Sequence, residues 1–515
     1  MAALQQGPAK LAAVKGLVDK LRDDLKTPSL TTSQRDTALE ELKVYGRDPR
    51  FADPLFTKEG IETLLQLAFS GGADSTAKNA LRVLCNALVL KEQTRQMFID
   101  LGYEGKACER LKNDDPDDEF LCSRLLFLTT YGTSVDLSAL IEKHQLADTI
   151  TKNLERHARL RSSGQVPSNP MVDMAMTESL KLLFNITHFA TAHTAAFTSI
   201  IPPVVQLLSQ MESATSKPLD PPVNFLINAL LNLDLGSAEI HDALYPPDEP
   251  EGVAKHLINL LTKSTTAYHD AEYDMCLTPL LGVIRAVHEY APAAVKASIR
   301  TQLLPTDKDR AQVLGTTASL SSWLLKNTTN PLAPKTREVI ADLLYDMSDR
   351  DATTFVDNVG YGFASGYLFN KNIPIPASLT AEGGPQNDDG SGAGPAGSLS
   401  SSSQQSNTGN GGGGGGGSSS SRPVNPITGQ FLDKERKPEG PEMTVAEKER
   451  EAERLFVLFE RLRANGVISA ENPLRTAVEQ GQFEELEDEK KGSNSSDYDE
   501  EEEEERKGKG QKKKN

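Results

Sequence analysis

The sequence predicts an all-α chain, most of it an α-solenoid, on two observations. Over residues 1 to about 376, apolar residues recur at helical spacing between short turns, and almost no stretch alternates with the period of two expected of a half-buried strand. Within that region one helix pattern recurs seven times. "ALRVLCNAL" ending at Leu88, "SLKLLFNIT" ending at Thr187 and "LINALLNLD" ending at Asp234 align on Asn86, Asn185 and Asn232. Apolar residues stand five, three and two places before each reference: Leu81, Val83 and Leu84; Leu180, Leu182 and Leu183; Ile227, Ala229 and Leu230. "LKVYGR" at Arg47, "SRLLFL" at Leu128, "IRAVHE" at Glu289 and "ADLLYD" at Asp346 supply further copies. Successive separations are 39, 42, 57, 47, 57 and 57 residues. The first two sit near the roughly 40 to 47 residues of an armadillo or HEAT repeat. The longer ones hold insertions such as "RSSGQVPSNP". One repeat cannot bury its own apolar face, but a stack forms a continuous core. The expectation is therefore an armadillo/HEAT-like superhelix, with a groove lined by the same helix of each repeat.

The elements follow in order. "MAALQQGPAKLAAVKGLVDKLRDDL" carries charges throughout and lacks a secretory apolar block, so it predicts an amphipathic helix from about Pro8 to Leu25. The repeats run to about 376. Near their end, "NVGYGFASGYLF", Asn358 to Phe369, places Gly360, Gly362 and Gly366 as G-x-G-x-x-x-G, one residue off the dinucleotide fingerprint. It follows the helical segments "REVIADLLYDMS" and "DATTFVDN" rather than a strand, and no acidic residue stands about 20 positions on in a second strand. These glycines are expected to break one repeat helix and start the next, Gly360 and Gly362 taking backbone angles closed to other residues.

Residues 377–421 are Gly, Ser, Asn and Gln, including seven consecutive glycines after Asn410. Such a segment cannot bury enough apolar surface to offset its ordering entropy, and reads as a disordered, flexible linker. Residues 422–470 form a C-terminal segment with a helix at about 445–464. Thr444 and Glu447 make a T-x-x-E capping box, Leu455, Phe456, Leu458, Phe459 and Leu462 make an apolar stripe, and Gly466 is a stop. From pattern alone, that stripe could equally fold back onto the solenoid. Residues 471–515 are an acidic run, Asp497 to Glu505, then a Lys-rich tip.

Composition narrows function. A net charge of −18 argues against general nucleic-acid binding, which needs a basic face. The four cysteines, Cys85, Cys108, Cys122 and Cys276, show no C-x-x-C pairing and read as reduced thiols of an intracellular protein. No apolar run reaches the roughly 18 residues of a membrane span. No phosphate loop, H-E-x-x-H or G-x-S-x-G motif is present. His288-Glu289 lacks a second histidine, and His188 and His193 lack a cysteine or carboxylate at useful spacing. No cofactor, metal or side-chain catalysis of the chain's own is expected.

What interrupts the apolar helices is informative. Residues four apart share a helix face, and polar pairs recur as Lys43 and Arg47, Arg82 and Asn86, Lys181 and Asn185, and Asn228 and Asn232. Arg124 and Arg285 fill the earlier position in their copies. Stacked, these side chains would form a ladder of donors for an extended or helical peptide. The alternative is that the asparagines hydrogen-bond loops and hold one repeat to the next.

"LTPLLGVIRAVHEYAP" from Leu277, "FVDNVGYGFASGYLF" from Phe355, "ALRVLCNALV" from Ala80 and "ESLKLLFNIT" from Glu178 resemble segments of the synembryn family. "NPITGQF" from Asn425 and "MTVAEKEREAERLFVLFERLRANGVI" from Met443 are similar to its C-terminal signature, so the resemblance spans 38 to 470. The Gly-rich linker and poly-Glu tail suggest a fungal member. The resemblance implies a non-receptor guanine nucleotide exchange factor and folding chaperone of heterotrimeric G-protein α subunits. It would be a cytoplasmic monomer, reaching the plasma membrane only through its partner. The groove would take the C-terminal helix of the α subunit, with Lys43, Arg47 and Asn86 matching family contact positions. Lys43 stands where the family has an arginine, keeping the charge but losing the bidentate fork. The 445–464 helix would grip the nucleotide-binding domain of the α subunit. The family's phosphorylated acidic stretch before "NP-x-T-G" is replaced here by Gly and Ser; Ser495 and Ser496, ahead of the acidic run, would suit an acid-directed kinase. Two other readings remain, a nuclear-import adaptor and a peptide-binding scaffold. The adaptor requires tryptophans one turn from the asparagines, whereas the single Trp323 lies outside every reference helix.

Overall fold

The computed structural model describes residues 5–164, 169–211, 216–374 and 422–435, with positions 444, 450, 454 and 457. The described residues form twenty α-helices, short 3-10 turns and no strand beyond a single bridge between Val424 and Phe431. In chain order the helices are α1 Gly7–Lys26, α2 Thr32–Tyr45, α3 Lys58–Phe69, α4 Asp74–Leu90, α5 Gln93–Asp100, α6 Glu104–Leu111 and α7 Pro116–Thr129. Then come α8 Leu137–Glu142, α9 Leu146–Ser162, α10 Pro170–Phe189, α11 Ile201–Gln210, α12 Val223–Leu231, α13 His241–Leu244 and α14 Gly252–Ala267. The last are α15 Asp270–Tyr290, α16 Ala293–Leu303, α17 Leu320–Asn327, α18 Pro334–Asp346, α19 Ala352–Val359 and α20 Tyr361–Asn370.

Local chemistry sets many of these starts. Thr31 and Gln34 form a reciprocal capping box at α2, the Thr31 hydroxyl accepting from the Gln34 amide and Gln34 Oε1 accepting from the Thr31 amide. Asp115 and Asn169 cap α7 and α10, each followed by proline at the first helical position, where its missing N–H costs nothing.

Seven of the helices form one continuous row: α2 packs on α4, α4 on α7, α7 on α10, α10 on α12, α12 on α15 and α15 on α18. These carry, or directly precede, the seven reference positions of the sequence repeat. A second row, α6, α9, α11, α14 and α16, backs it, each touching the next. The apolar stripes of the three asparagine copies are sealed in the core: Leu81, Leu84, Leu180, Leu182, Leu183 and Ala229 are all fully buried. The core is one cluster from Val14 to Leu368. The architecture is an all-α, armadillo-like solenoid, as the spacing predicts.

The end of the solenoid departs from expectation. The compact unit runs to Glu435, because residues 422–435 pack back on the last repeats. The Tyr361 amide donates to the Pro426 carbonyl at 2.8 Å and the Gly362 amide to that of Ile427 at 3.0 Å, filling the orphan donors at the start of α20. Leu314 donates to Thr428, Phe431 donates to the Arg310 carbonyl, and the Arg310 guanidinium bonds the carbonyls of Gly429, Asp357 and Asn358. Gly360 does separate α19 from α20, at φ +79°. It has a further duty: a Cβ there would stand 3.0 Å from the Ile427 carbonyl oxygen. Gly362, contrary to expectation, has no positive φ and lies in the first turn of α20. It and Gly360 let a backbone segment approach, and that segment belongs to the same chain, whereas Gly366 meets nothing.

Candidate partner-binding face

The row α2–α4–α7–α10–α12–α15–α18 brings most of the polar ladder onto consecutive neighbouring helices, but not as a set of free donors. Arg82 Nη2 donates to Asp117 on α7 at 2.7 Å. Arg124 Nη1 donates to Glu178 on α10 at 3.0 Å, and Lys181 Nζ shares the same oxygen at 2.9 Å. Arg285 reaches α18, its guanidinium bound to Asp342 at 2.9 Å and to Asp346. Burial opposes that charge, yet the two carboxylates hold the Arg285 pKa above its ordinary value. Arg82, Arg124 and Arg285 are therefore paired across repeat boundaries and Lys181 within α10, each about one third or less exposed.

The asparagines divide. Asn185 is buried, its amide donating to Thr130 Oγ1 at 2.7 Å and its oxygen accepting from the Tyr131 hydroxyl at 3.2 Å. Asn232 donates to the Phe184 carbonyl at 3.1 Å. Both hold one repeat to the one before it. Asn86 and Asn228 are half-buried and make no side-chain hydrogen bond to a described residue.

Two pairings by spacing fail. α2 ends at Tyr45, so Arg47 lies beyond the Gly46 cap and does not share a helix face with Lys43. Helical spacing holds only as far as the glycine that stops the helix, and Arg47 lies past it. Lys43 is paired instead with Glu40 at 2.5 Å, while Arg47 is exposed and makes no side-chain hydrogen bond or ion pair with a described residue. Asn232, likewise, is the residue that ends α12 rather than a member of it. Leu455, Phe456, Leu458, Phe459, Leu462, Ser495 and Ser496 lie outside the described residues. Trp323 sits on α17, off the row.

The row also carries an apolar feature outside the core positions of the repeat. Phe127 and Phe184 stand half-buried one place before their reference positions, and Tyr131, Phe189, Leu231 and Tyr290 are 40 to 51% exposed at the C-terminal ends of α7, α10, α12 and α15. Tyr131 contacts Phe127 and Phe189 edge-on, with ring centroids 5.4 and 6.2 Å apart. A Cβ on Gly282 would meet Leu231, and one on Gly236 would meet the Tyr290 ring, so small residues make room for both. Reasoning from spacing missed this series, although its signal is present: these are the apolar residues left over once the core positions five, three and two before the reference are assigned. Toward the N-terminal ends of the same helices, Phe120, Arg124, Met174, Glu178 and Lys181 line an open depression of about 420 Å³. The face thus combines paired charges, two unpaired amides and exposed aromatic rings, a mixture suited to an amphipathic peptide.

Residues 38–482 match the sequence model of a family described as guanine nucleotide exchange factor synembryn. A synembryn-like chaperone of Schizosaccharomyces pombe is 27% identical over 382 residues, 72% of this chain and 66%, just under two thirds, of that protein's length. The chaperone Ric-8A of Macaca fascicularis is 22% identical over 470 residues, 85% of this chain and 83% of that one. A designed armadillo repeat protein superposes at 12% identity with a TM-score of 0.36, over 53% of this chain and 99% of its own, an overlap that leaves the fold resting on the stacked helices above. With 445 of its 515 residues inside the matched span, the chain belongs to the guanine nucleotide exchange factor synembryn family.

Proposed function

We propose that this chain is an exchange factor and folding chaperone for heterotrimeric G-protein α subunits, working without catalytic chemistry of its own. It would seat the C-terminal helix of the α subunit along the α2–α18 row. The observation that supports this most is the occurrence on one row of the unpartnered amides Asn86 and Asn228, on α4 and α12, with Arg47 just past α2, and the exposed apolar series Tyr131, Phe189, Leu231 and Tyr290 at the C-terminal ends of α7, α10, α12 and α15. An amphipathic helix laid across them would bury its apolar side on the rings and offer carbonyls or a terminal carboxylate to the donors.

The thermodynamics need no nucleotide pocket in this protein. Drawing the last helix of the α subunit away from its nucleotide-binding domain favours the open, empty conformer, and a binder that prefers that conformer shifts the population toward GDP release. The same preference would hold a nascent α subunit before nucleotide is loaded. A second grip through the 445–464 stripe would raise the effective concentration of the first contact.

The test is GDP release from an α subunit with and without its last helical turns. Acceleration of the full-length subunit and none of the truncated one is expected. Equal acceleration of both would remove the α2–α18 row from the mechanism.

A further inference from the structure

The far end of the solenoid carries a surface that this reading leaves unused. The turn after α17, the start of α18 and the length of α20 frame an open depression of about 700 Å³. Lys335, Arg337 and Lys371 line it, with Ser365, Asn370 and one carboxylate, Glu338. In a chain of net charge −18, three cations around one depression run against the composition. Lys335 and Arg337 are exposed and make no ion pair with a described residue. Lys371 makes long ion pairs, 3.7 Å to Glu338 and 3.5 Å to Asp342, and its ammonium lies 5.6 Å from the Tyr367 ring centroid.

Pro334, Ala341, Phe363 and Tyr367 supply the apolar part of its lining, and two further apolar side chains stand outside it. Leu332, two residues before Pro334, is 66% exposed, and Phe369, next to Asn370, is 82% exposed, the most exposed large apolar side chain among the described residues. A peptide seated in the depression would meet Phe363 and Tyr367 and leave Leu332 and Phe369 in water. Exposed apolar side chains near exposed cations are the arrangement that meets a lipid interface, where the tips enter the headgroup layer and the cations meet phosphates.

We propose that this end of the molecule docks reversibly on an anionic membrane surface. Lipid phosphates would settle against Lys335, Arg337 and Lys371, and Leu332 and Phe369 would enter the headgroup region. Each cation near such a surface raises partitioning by roughly five-fold, so the contact is weak and sensitive to salt. It would place the protein directly at a membrane instead of through a partner alone.

The experiment is sedimentation of the full chain with phosphatidylcholine vesicles, with and without phosphatidylserine at roughly a third of the lipid, a leaflet-like negative charge. Binding to the anionic vesicles alone is expected. Lys335→Glu with Arg337→Glu should weaken it by at least roughly 20-fold. Leu332→Ser with Phe369→Ser should weaken it too, with unchanged helical content for both variants. Wild-type binding that survives both double substitutions would overturn the proposal and pass the role to the Lys-rich C-terminus. Absence of wild-type binding would overturn it as well. So would saturable binding of a polyglutamate peptide, lost with Lys335→Glu and Arg337→Glu, if no vesicle binding accompanied it; the site would then serve an acidic protein partner.

Discussion

At the scale of single residues, Asn185 and Asn86 fill the same position of the repeat but meet different surroundings. Asn185 bonds Thr130 and Tyr131 in a buried setting, whereas Asn86 has no partner among the described residues. Removing a buried amide leaves its partners unsatisfied, while removing a half-exposed one leaves water in its place. Asn185→Ala should therefore cost about 1–3 kcal/mol in denaturant unfolding. Asn86→Ala and Asn228→Ala should stay within about 0.5 kcal/mol, yet weaken binding of a peptide copying the last helix of the α subunit, read by isothermal titration. If Asn86→Ala destabilised as much as Asn185→Ala, or left peptide binding intact, its assignment to the partner face would fail. The sequence made these residues alike because spacing reports which face a residue occupies, not which neighbour a turn brings to it. The same holds for Arg82, Arg124 and Arg285: their basic character was legible, but their carboxylate partners lie 35 to 61 residues away and only the stack supplies them.

At the scale of elements, the loop 422–435 and α20 define each other. Gly360 and Gly429 both have positive φ, +79° and +66°, and each stands where a side chain would collide: at 3.0 Å from the Ile427 oxygen for Gly360, and 2.3 Å from Leu314 Cδ1 for Gly429. Strain and steric conflict act together there. Gly360→Val and Gly429→Ala should each lower stability by roughly 1–3 kcal/mol and release the loop. Hydrogen exchange at the Tyr361, Gly362 and Leu314 amides reads that release directly, since each donates to the loop. Slow exchange at those amides in both variants would show that the loop stays docked without its glycines. Helix existence was readable here from periodicity, and the break at Gly360 from its conformational freedom. The reason for Gly362 was not, because its contact, the Ile427 carbonyl, comes from more than sixty positions further along.

At the scale of the whole molecule, stability is a sum of repeats and the boundaries between them, and two histidines make that sum sensitive to acid. His288 on α15 is buried with both ring nitrogens unpartnered, and His256 on α14 buries an unpartnered Nε2. Burial pushes the His288 pKa down to about 4, with Arg300 and Lys296 adding to the effect, and burial lowers that of His256 as well. The unfolded chain takes up these protons below about pH 6.5, while folded His288 does so only near 4. The unfolded state thus holds more protons across that window, and stability falls as pH falls through it. The His288 contribution amounts to roughly 3 kcal/mol at most. His288→Leu should flatten the decline of the unfolding midpoint between about pH 6.5 and 4; an unchanged slope would show that other groups govern acid stability.

By itself the sequence determined the all-α class, the seven reference helices and their order, because each rests on local periodicity and on the need of every repeat to bury its stripe against the next. It also held the family's motifs in sequence order. Tertiary structure alone decided which ladder residues are spent on neighbouring repeats, which amides remain free, and where the exposed rings of Tyr131, Phe189, Leu231 and Tyr290 lie on the row. It also decided what the near-fingerprint glycines receive. Those outcomes depend on pairs of groups far apart in the chain, and only the stacking of helices fixes the distance between them.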